Sequence, residues 1–418
     1  MSGPREEMSA MTRVAVTGLG VVSPLGNTVA DFWDGLVAGR SGVTRLQGES
    51  GEGLAQIGGA VHNFHPESVL GKAPRRMDRF CQFAVVAAHQ AIEDAGLRLG
   101  GERPERIGVY IGSGIGGIHT LLENHQALLA RGPRRVSPTM VPMMIPNMAA
   151  AQVSIHFGLK GPCLAPVTAC ATGNNAIGEA FRLLQRGQAD VVLAGGTEAA
   201  MTDLTYAAFA NAKVLSPHTD QPARASRPFD ATRDGFVVAE GAGVVALETW
   251  EHAQRRGASI RAEIIGYGTS ADAYHMVATD PEGAGAAAAM RAALHDARVS
   301  ADAVQYISAH ATATPMGDLS ETRGIKLAFG SHAGHLAISA NKSMIGHAFG
   351  AAGGIAAVAL VKTLEAGTVP PTINLDHPDP ACDLDYVPRL ARQVPVQIGL
   401  SNAFGFGGHN AVLVLKRV

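Results

Sequence analysis

The sequence predicts a layered α/β fold: short apolar, β-branched runs end in glycine-rich loops, stretches with helical spacing follow them, and the strand, loop and helix plan recurs along the chain. A third observation locates the chemistry. The run from Pro162 to Cys170 (Pro-Cys-Leu-Ala-Pro-Val-Thr-Ala-Cys) stops at a cysteine where a helix-like stretch begins at once, so a thiol stands at a strand-to-helix junction.

In chain order, Arg13 to Val22 is an apolar run carrying Gly18 and Gly20, read as a buried first strand with a tight turn. A dinucleotide site is rejected there, because Ser23-Pro24-Leu25-Gly26 follows where a third glycine and a helix start belong. Ala84 to Ala95 has helical spacing and stops at Gly96. Arg106 to Gly117 reads as a strand and its glycine loop. After the Cys170 helix, Ala189 to Thr197 is another buried strand, and Gly235 to Leu247 adds further strand material. Then the plan repeats. Ile260 to Ser270 echoes the opening strand with its glycines, and Val304 to His310 echoes the strand at Val109, which implies an internal duplication. The alanine-rich Ala284 to Ala297 reads as a surface helix, and Val412 to Leu415 as the final strand.

Composition excludes several classes. With 418 residues, 46% hydrophobic, the chain can bury a large core, and 34 Lys and Arg against 36 Asp and Glu give no global field for nucleic acid or membrane. The 4 cysteines show no CxxC spacing and the 16 histidines no HExxH, so neither a disulfide framework nor a zinc site is expected. A polar start and the lack of an uninterrupted apolar run near ~20 residues lead to the expectation of a cytoplasmic protein in a reducing compartment.

Cys170 is the candidate nucleophile. A thiol at a helix N-terminus faces unpaired N–H groups and the positive end of the helix dipole, which favours thiolate, and Ala169, Ala171 and Gly173 leave room for a substrate. A buried core cysteine is the alternative. Three further stretches place reactive groups in loops after apolar runs: His310, then Lys342 with His347, then the glycine loop Phe404 to Asn410. In α/β folds such loops gather into one site.

These motifs carry a resemblance. Thr168-Ala-Cys-Ala-Thr-Gly, His310-Ala-Thr-Ala-Thr-Pro-Met-Gly-Asp318, Asn341-Lys-Ser-Met-Ile-Gly-His347 and Phe404-Gly-Phe-Gly-Gly-His-Asn410 resemble the β-ketoacyl-acyl carrier protein synthases, closest to synthase II. The match spans nearly the whole chain and includes Asp230 to Phe236, Ala273 to Met276 and Val369 to Asn374. Two features depart from it: the usual His-Gly-Thr is His310-Ala311-Thr312, and Phe-Gly-Gly ends in His409, both similar to the mycolic-acid branch. Type II polyketide ketosynthases could carry the same motifs.

The resemblance implies a thiolase fold, a duplicated αβαβα five-layered sandwich that dimerises, with residues 1–257 as the half holding the cysteine and 258–418 as the half holding the histidines and lysine. It implies decarboxylative Claisen condensation with malonyl carrier protein, for fatty acid or reduced polyketide chains, without a cofactor. Cys170 would take the acyl group, its own N–H and that of Phe406 forming the oxyanion hole, with Phe406 also the gate. His310 and His347 would donate to the malonyl thioester, Lys342 would keep them neutral, and Glu321 would pair with Lys342, with Asp318 in support. Thr312 and Thr314 would bind the phosphopantetheine arm, and Ile115 and Phe209 would line the acyl pocket. Acyl carrier protein would dock on Lys72, Arg75, Arg76, Arg134, Arg135 and Lys213. The active unit would be a homodimer or a heterodimer with a chain-length factor. Two other readings are weaker: a non-catalytic chain-length factor would lack the cysteine, and a thiolase would want a second cysteine where His409 stands.

Overall fold

The computed structural model describes residues 12–46, 57–72 and 76–418. The first half contributes β1 (Val14–Val22), a small ladder of β2 (Thr44–Arg45) with β3 (Ile57–Gly58), then β4 (Ile107–Gly112), β5 (Cys163–Leu164), β6 (Val191–Glu198) and β7 (Gly241–Thr249). The second half contributes β8 (Ala262–Ala271), β9 (Tyr306–Ser308), β10 (Ala337–Ser339), a ladder of β11 (Thr368–Val369) with β12 (Arg392–Gln393), and finally β13 (Ile398–Gly405) and β14 (His409–Arg417).

Strand order exposes the duplication. The main sheet runs β10-β9-β13-β14-β8-β1-β7-β6-β4-β5, so each half, read outward from the middle, places its first, fifth, fourth, second and third main-sheet strands in that order. Parallel and antiparallel pairings match as well: β4 is parallel to β5 and β6 as β9 is to β10 and β13, while β7 and β14 run antiparallel to both neighbours. The halves join through β1 and β8, where Val14, Ala15 and Val16 pair with Ile264, Glu263 and Ala262.

Helices complete the layers. Arg79–Asp94 covers β1, β7 and β6 on one outside, and Ala284–Ala297 covers β8 and β14 on the other. Thr172–Gln185 and Ala352–Ala366 pack on each other and touch strands of both halves, so they form the middle layer. The result is the five-layered α/β sandwich of the thiolase fold. The stretch Phe349–Ala366 is long and apolar enough to cross a membrane, but most of it is buried inside the protein.

Two expectations change here. Gly18 and Gly20 lie within β1 rather than in a turn, and a Cβ on either would sit 2.0 Å from the Ala91 carbonyl or 1.9 Å from the Ala87 carbonyl of the covering helix. Glycine is required by that close approach. The same device recurs in β8, where Cβ atoms on Gly266 and Gly268 would meet the carbonyls of Ala293 and Ala289 at 2.4 and 2.3 Å. Ala284–Ala297 is therefore more than a surface helix: Ala286, Ala287, Ala289, Met290, Ala293 and Leu294 are buried, and small side chains let it lie on the glycines of β8.

At the end of β7, a charged network fastens the outer layer. Buried Glu248 accepts hydrogen bonds from Thr17, Arg256 and His252, and His252 reaches Glu102 with its other ring nitrogen at 3.0 Å. Burial would push the Glu248 carboxyl up, but those donors outweigh it and hold the group at about 2. His252 is raised by Glu248 first, against burial, and by Glu102. A raised histidine stabilises the fold below its unfolded pKa and loses that contribution as pH rises through the folded value. Thermal melting from pH 6 to 9 should therefore show stability falling on the alkaline side, and His252→Gln should flatten that slope; an unchanged slope would mean that His252 carries no charge in the native state.

Candidate active site

Cys170 lies in the single turn Ala169–Ala171, directly ahead of the helix Thr172–Gln185. Ala169 holds φ at 50°, a left-handed conformation that presents the cysteine sharply at the junction. The end of β13 lies against this turn, and only glycine allows it: a Cβ on Gly405 would sit 2.7 Å from the Thr168 carbonyl and 3.1 Å from the Cys170 nitrogen. His347 Nε2 stands 3.0 Å from Sγ. The backbone N–H groups of Phe406 and of Cys170 itself also face the sulfur.

The thiol's acidity differs from the sequence expectation. Burial pushes Cys170 up to about 12, outweighing the opposite pulls of Lys342 and of the Phe406 and Cys170 N–H groups. The resting group is a thiol because Tyr206, Phe236, Val238 and Phe349 enclose it in an apolar cluster, and desolvation of a thiolate there exceeds what the helix start supplies.

The other reactive groups arrive from the second half. His310 follows β9, Lys342 opens the short helix Lys342–Ile345 after β10, and His347 is held by its N–H to the Val237 carbonyl and its carbonyl to the Ala239 N–H. The His310 and His347 rings stand edge to face with centroids 5.5 Å apart. Enclosure first, and the Lys342 cation second, lower both histidines well below the usual imidazole range. Burial also lowers Lys342, to about 8, against the attraction of Glu321. At neutral pH the arrangement is one cation beneath two neutral imidazoles.

Glu321 makes a different contact from the direct Lys342 pair expected. Its oxygens accept from the His310 N–H at 2.9 Å, the Ala311 N–H at 2.7 Å and Asn402 Nδ2 at 3.0 Å, while Lys342 Nζ donates to the His310 carbonyl at 2.6 Å. The backbone of His310 is thus gripped at both ends, and anion and cation act on one another across it. Asp318 accepts from the Phe229 and Ala313 N–H groups, and burial raises it to about 7.

A cavity of about 420 Å³ opens over these groups. Cys170, His310 and His347 line its depth; exposed Lys213, His275 and Met316 line its rim, with Thr312 and Thr314 on the wall, their hydroxyls 3.1 Å apart. A thiol, two neutral imidazoles and two inward N–H groups around one apolar cavity suit acyl transfer through a cysteine thioester.

Comparison with known proteins decides the family. Residues 11–253 match the β-ketoacyl synthase N-terminal domain and 261–376 the C-terminal domain. The chain belongs to the β-ketoacyl synthase family. It is 51% identical over 409 residues to 3-oxoacyl-[acyl-carrier-protein] synthase 2 of Synechocystis sp., covering 97% of this chain and 98% of the relative. Against the protein of the same name from Staphylococcus aureus it is 49% identical over 412 residues, 98% of this chain and 99% of the relative. Among solved structures, a type II polyketide ketosynthase in complex with its acyl-carrier protein and bound to the hexaketide superposes with a TM-score of 0.90 at 36% identity, over 98% of this chain and 100% of that one. The ishigamide ketosynthase/chain length factor gives 0.91 at 35% identity, with the same coverage. This synthase is accordingly an acyltransferase of the condensing type, a 3-oxoacyl-[acyl-carrier-protein] synthase.

Within this synthase the remaining expected site residues divide. Phe406 lies in the turn between β13 and β14, followed by Gly407 and Gly408 at φ 80° and 75°, and its ring lines the cavity. Phe209 and Ile115 do not line it. Phe209 stacks on Phe349 at 5.2 Å and meets Phe236 at 5.3 Å and Phe406 at 6.4 Å, three rings that do line the cavity. Ile115 is surface-exposed, on a loop whose backbone is tied to Glu198. Lys72, Arg76, Arg134 and Arg135 are exposed outside the cavity, and Arg75 lies outside the described residues.

Sequence reasoning passed over Glu198, Asn402 and Arg233. Glu198 is buried and accepts from Ser113 Oγ, the N–H groups of Gly114 and Ile115, and the Gly350 N–H at 3.0 Å, fastening the glycine loop to the turn beside the nucleophile. Its signal was available: an acid ending a buried strand, directly after Gly195-Gly196-Thr197.

Because the resting group is a thiol, alkylation of Cys170 by iodoacetamide, read by peptide mass, should keep rising about tenfold per pH unit from 7 to 10. A plateau near neutral pH would mean a preformed thiolate.

Proposed function

We propose that this synthase works by a two-stage cycle on carrier-protein thioesters, and the observation that carries the reading is the placement of His347 Nε2 at 3.0 Å from the Cys170 sulfur in a cavity with two backbone N–H groups facing the same atom. In the first stage Sγ attacks the acyl thioester carbonyl as its proton passes to His347, the nearest imidazole nitrogen. The Cys170 and Phe406 N–H groups bind the oxyanion, and the carrier thiol leaves with the proton. In the second stage the malonyl thioester loses carbon dioxide, its electron pair moves onto an enolate whose oxygen His310 and His347 stabilise as N–H donors, and the resulting carbon attacks the acyl-cysteine, expelling the Cys170 thiolate, which takes up one proton from solvent to restore the resting thiol. Lys342 keeps the histidines neutral so that they can donate without ion pairing.

Thr312 and Thr314 would hold the pantetheine arm against the wall, and Phe406, beside two left-handed glycines, would swing to admit the acyl chain toward Phe209 and Ile115. The partner is an acyl carrier protein, approaching over exposed Lys72, Arg76, Arg134, Arg135 and Lys213. A second subunit, either the same chain or a chain-length factor, would cover the free edge beyond β5 with its exposed Leu164 and Val167. No cofactor is required by this chemistry, and a cytoplasmic setting fits it. Identity near half to synthases of the second type favours fatty acyl chains.

Purified protein with acyl carrier protein thioesters, read by intact mass, tests the cycle. Cys170→Ala should abolish the acyl adduct, whereas His310→Ala should keep acylation and lose at least about a hundredfold in condensation with malonyl carrier protein; an adduct surviving in Cys170→Ala would overturn the assignment. In Lys342→Met the histidines should rise, so the acid limb of condensation should move to higher pH. An unmoved limb would make Lys342 structural only.

A further inference from the structure

The segment from His310 to Pro315 is held in an unusual shape. Ala311 and Ala313 adopt φ of 31° and 67°, left-handed values that strain an alanine backbone, and this alternation brings the Thr312 and Thr314 hydroxyls to 3.1 Å on the cavity wall. Something must resist relaxation. Carboxylates of the helix Pro315–Phe329 take N–H groups: Glu321 those of His310 and Ala311, and Asp318 that of Ala313. The carbonyl side is gripped from the first half of the chain. Gly235 N–H donates to the Ala313 carbonyl at 3.0 Å, Arg233 Nε to the Thr314 carbonyl at 3.3 Å, and Arg233 Nη2 to the Pro315 carbonyl at 2.7 Å. The guanidinium itself is fixed, with its side chain 5% exposed, Nη1 on Asp379 at 2.7 Å and on the Asp230 carbonyl at 3.0 Å.

We infer that Arg233 is a positioning residue for substrate binding: its planar fork spans two carbonyls and holds the strained Ala311–Ala313 backbone so that the threonine hydroxyls stay paired to receive the carrier arm. The inference rests on the proposed role of Thr312 and Thr314. Arg233 touches no reacting atom, so it governs arm affinity and leaves the thiol and the histidines as they are.

Arg233→Lys is the discriminating change, because lysine keeps a cation for Asp379 yet cannot bridge two carbonyls with a rigid fork. The KM for a malonyl-pantetheine thioester should rise about tenfold, as loss of charge-assisted hydrogen bonds implies, with kcat and the rate of Cys170 alkylation unchanged. Thr312→Val with Thr314→Val should raise KM similarly, and adding Arg233→Lys to that pair should change it by less than about twofold. Multiplied losses in the triple variant would overturn the inference alone, since Arg233 would then act elsewhere. An unchanged KM in the threonine pair would overturn both the inference and the arm-binding reading beneath it. Ala313→Gly supplies a second check that needs no loss of packing: glycine relieves the left-handed strain, so the KM penalty of Arg233→Lys should shrink in that background, and an undiminished penalty would contradict the inference.

Discussion

The His310 peptide is the point on which the site depends. Glu321 holds its N–H and Lys342 its carbonyl, and through those two bonds a buried anion and a buried cation are fixed on either side of one backbone unit. Burying both charges is costly, and truncating either would leave the other uncompensated. What the arrangement secures is position and electrostatics together: the imidazole is aimed at the cavity, and the cation beneath it keeps the ring neutral.

Strain follows the same logic. Ala169, Ala311, Ala313 and Phe349 all carry positive φ: Ala169 lies in the nucleophile turn, Phe349 lines the cavity, and Ala311 and Ala313 flank Thr312, which lines it. Ala169 and Phe349 occupy corresponding places in the two halves, each in the turn that opens a middle-layer helix, so duplication produced two sharp junctions and the chemistry uses them differently. One presents Cys170. The other brings Gly350 against Glu198, which fixes the glycine loop alongside. Ala311 stands where the family usually has glycine, and the carboxylates of the following helix hold it left-handed regardless.

Much of this was legible in the sequence because the signals are local. Strand-loop-helix recurrence, the Cys170 junction and the three histidine and lysine motifs all lie within short windows, and the echo of Gly18 and Gly20 in Gly266 and Gly268 marked the duplication. The rest depended on partners distant in the chain. The direction of the Cys170 shift needs Phe236 and Phe349, which enclose the thiol only after folding. Glu321 looks like a partner for Lys342 until the His310 backbone is found between them. The sequence shows the apolar character of Ile115 and Phe209, but only the fold shows that Phe209 packs on Phe349 of the cavity wall and that Ile115 is exposed.

The chemistry of the site depends on His310 and His347 staying neutral while Lys342 is charged. Nuclear magnetic resonance of protein carrying ¹⁵N-labelled histidine, titrated from pH 5.5 to 8, reports ring charge directly, with His310→Ala and His347→Ala assigning the two signals. Both rings should remain neutral across that range. An imidazolium signal from either ring at pH 7 would contradict it, because a charged donor would need no buried cation to keep it in its working form.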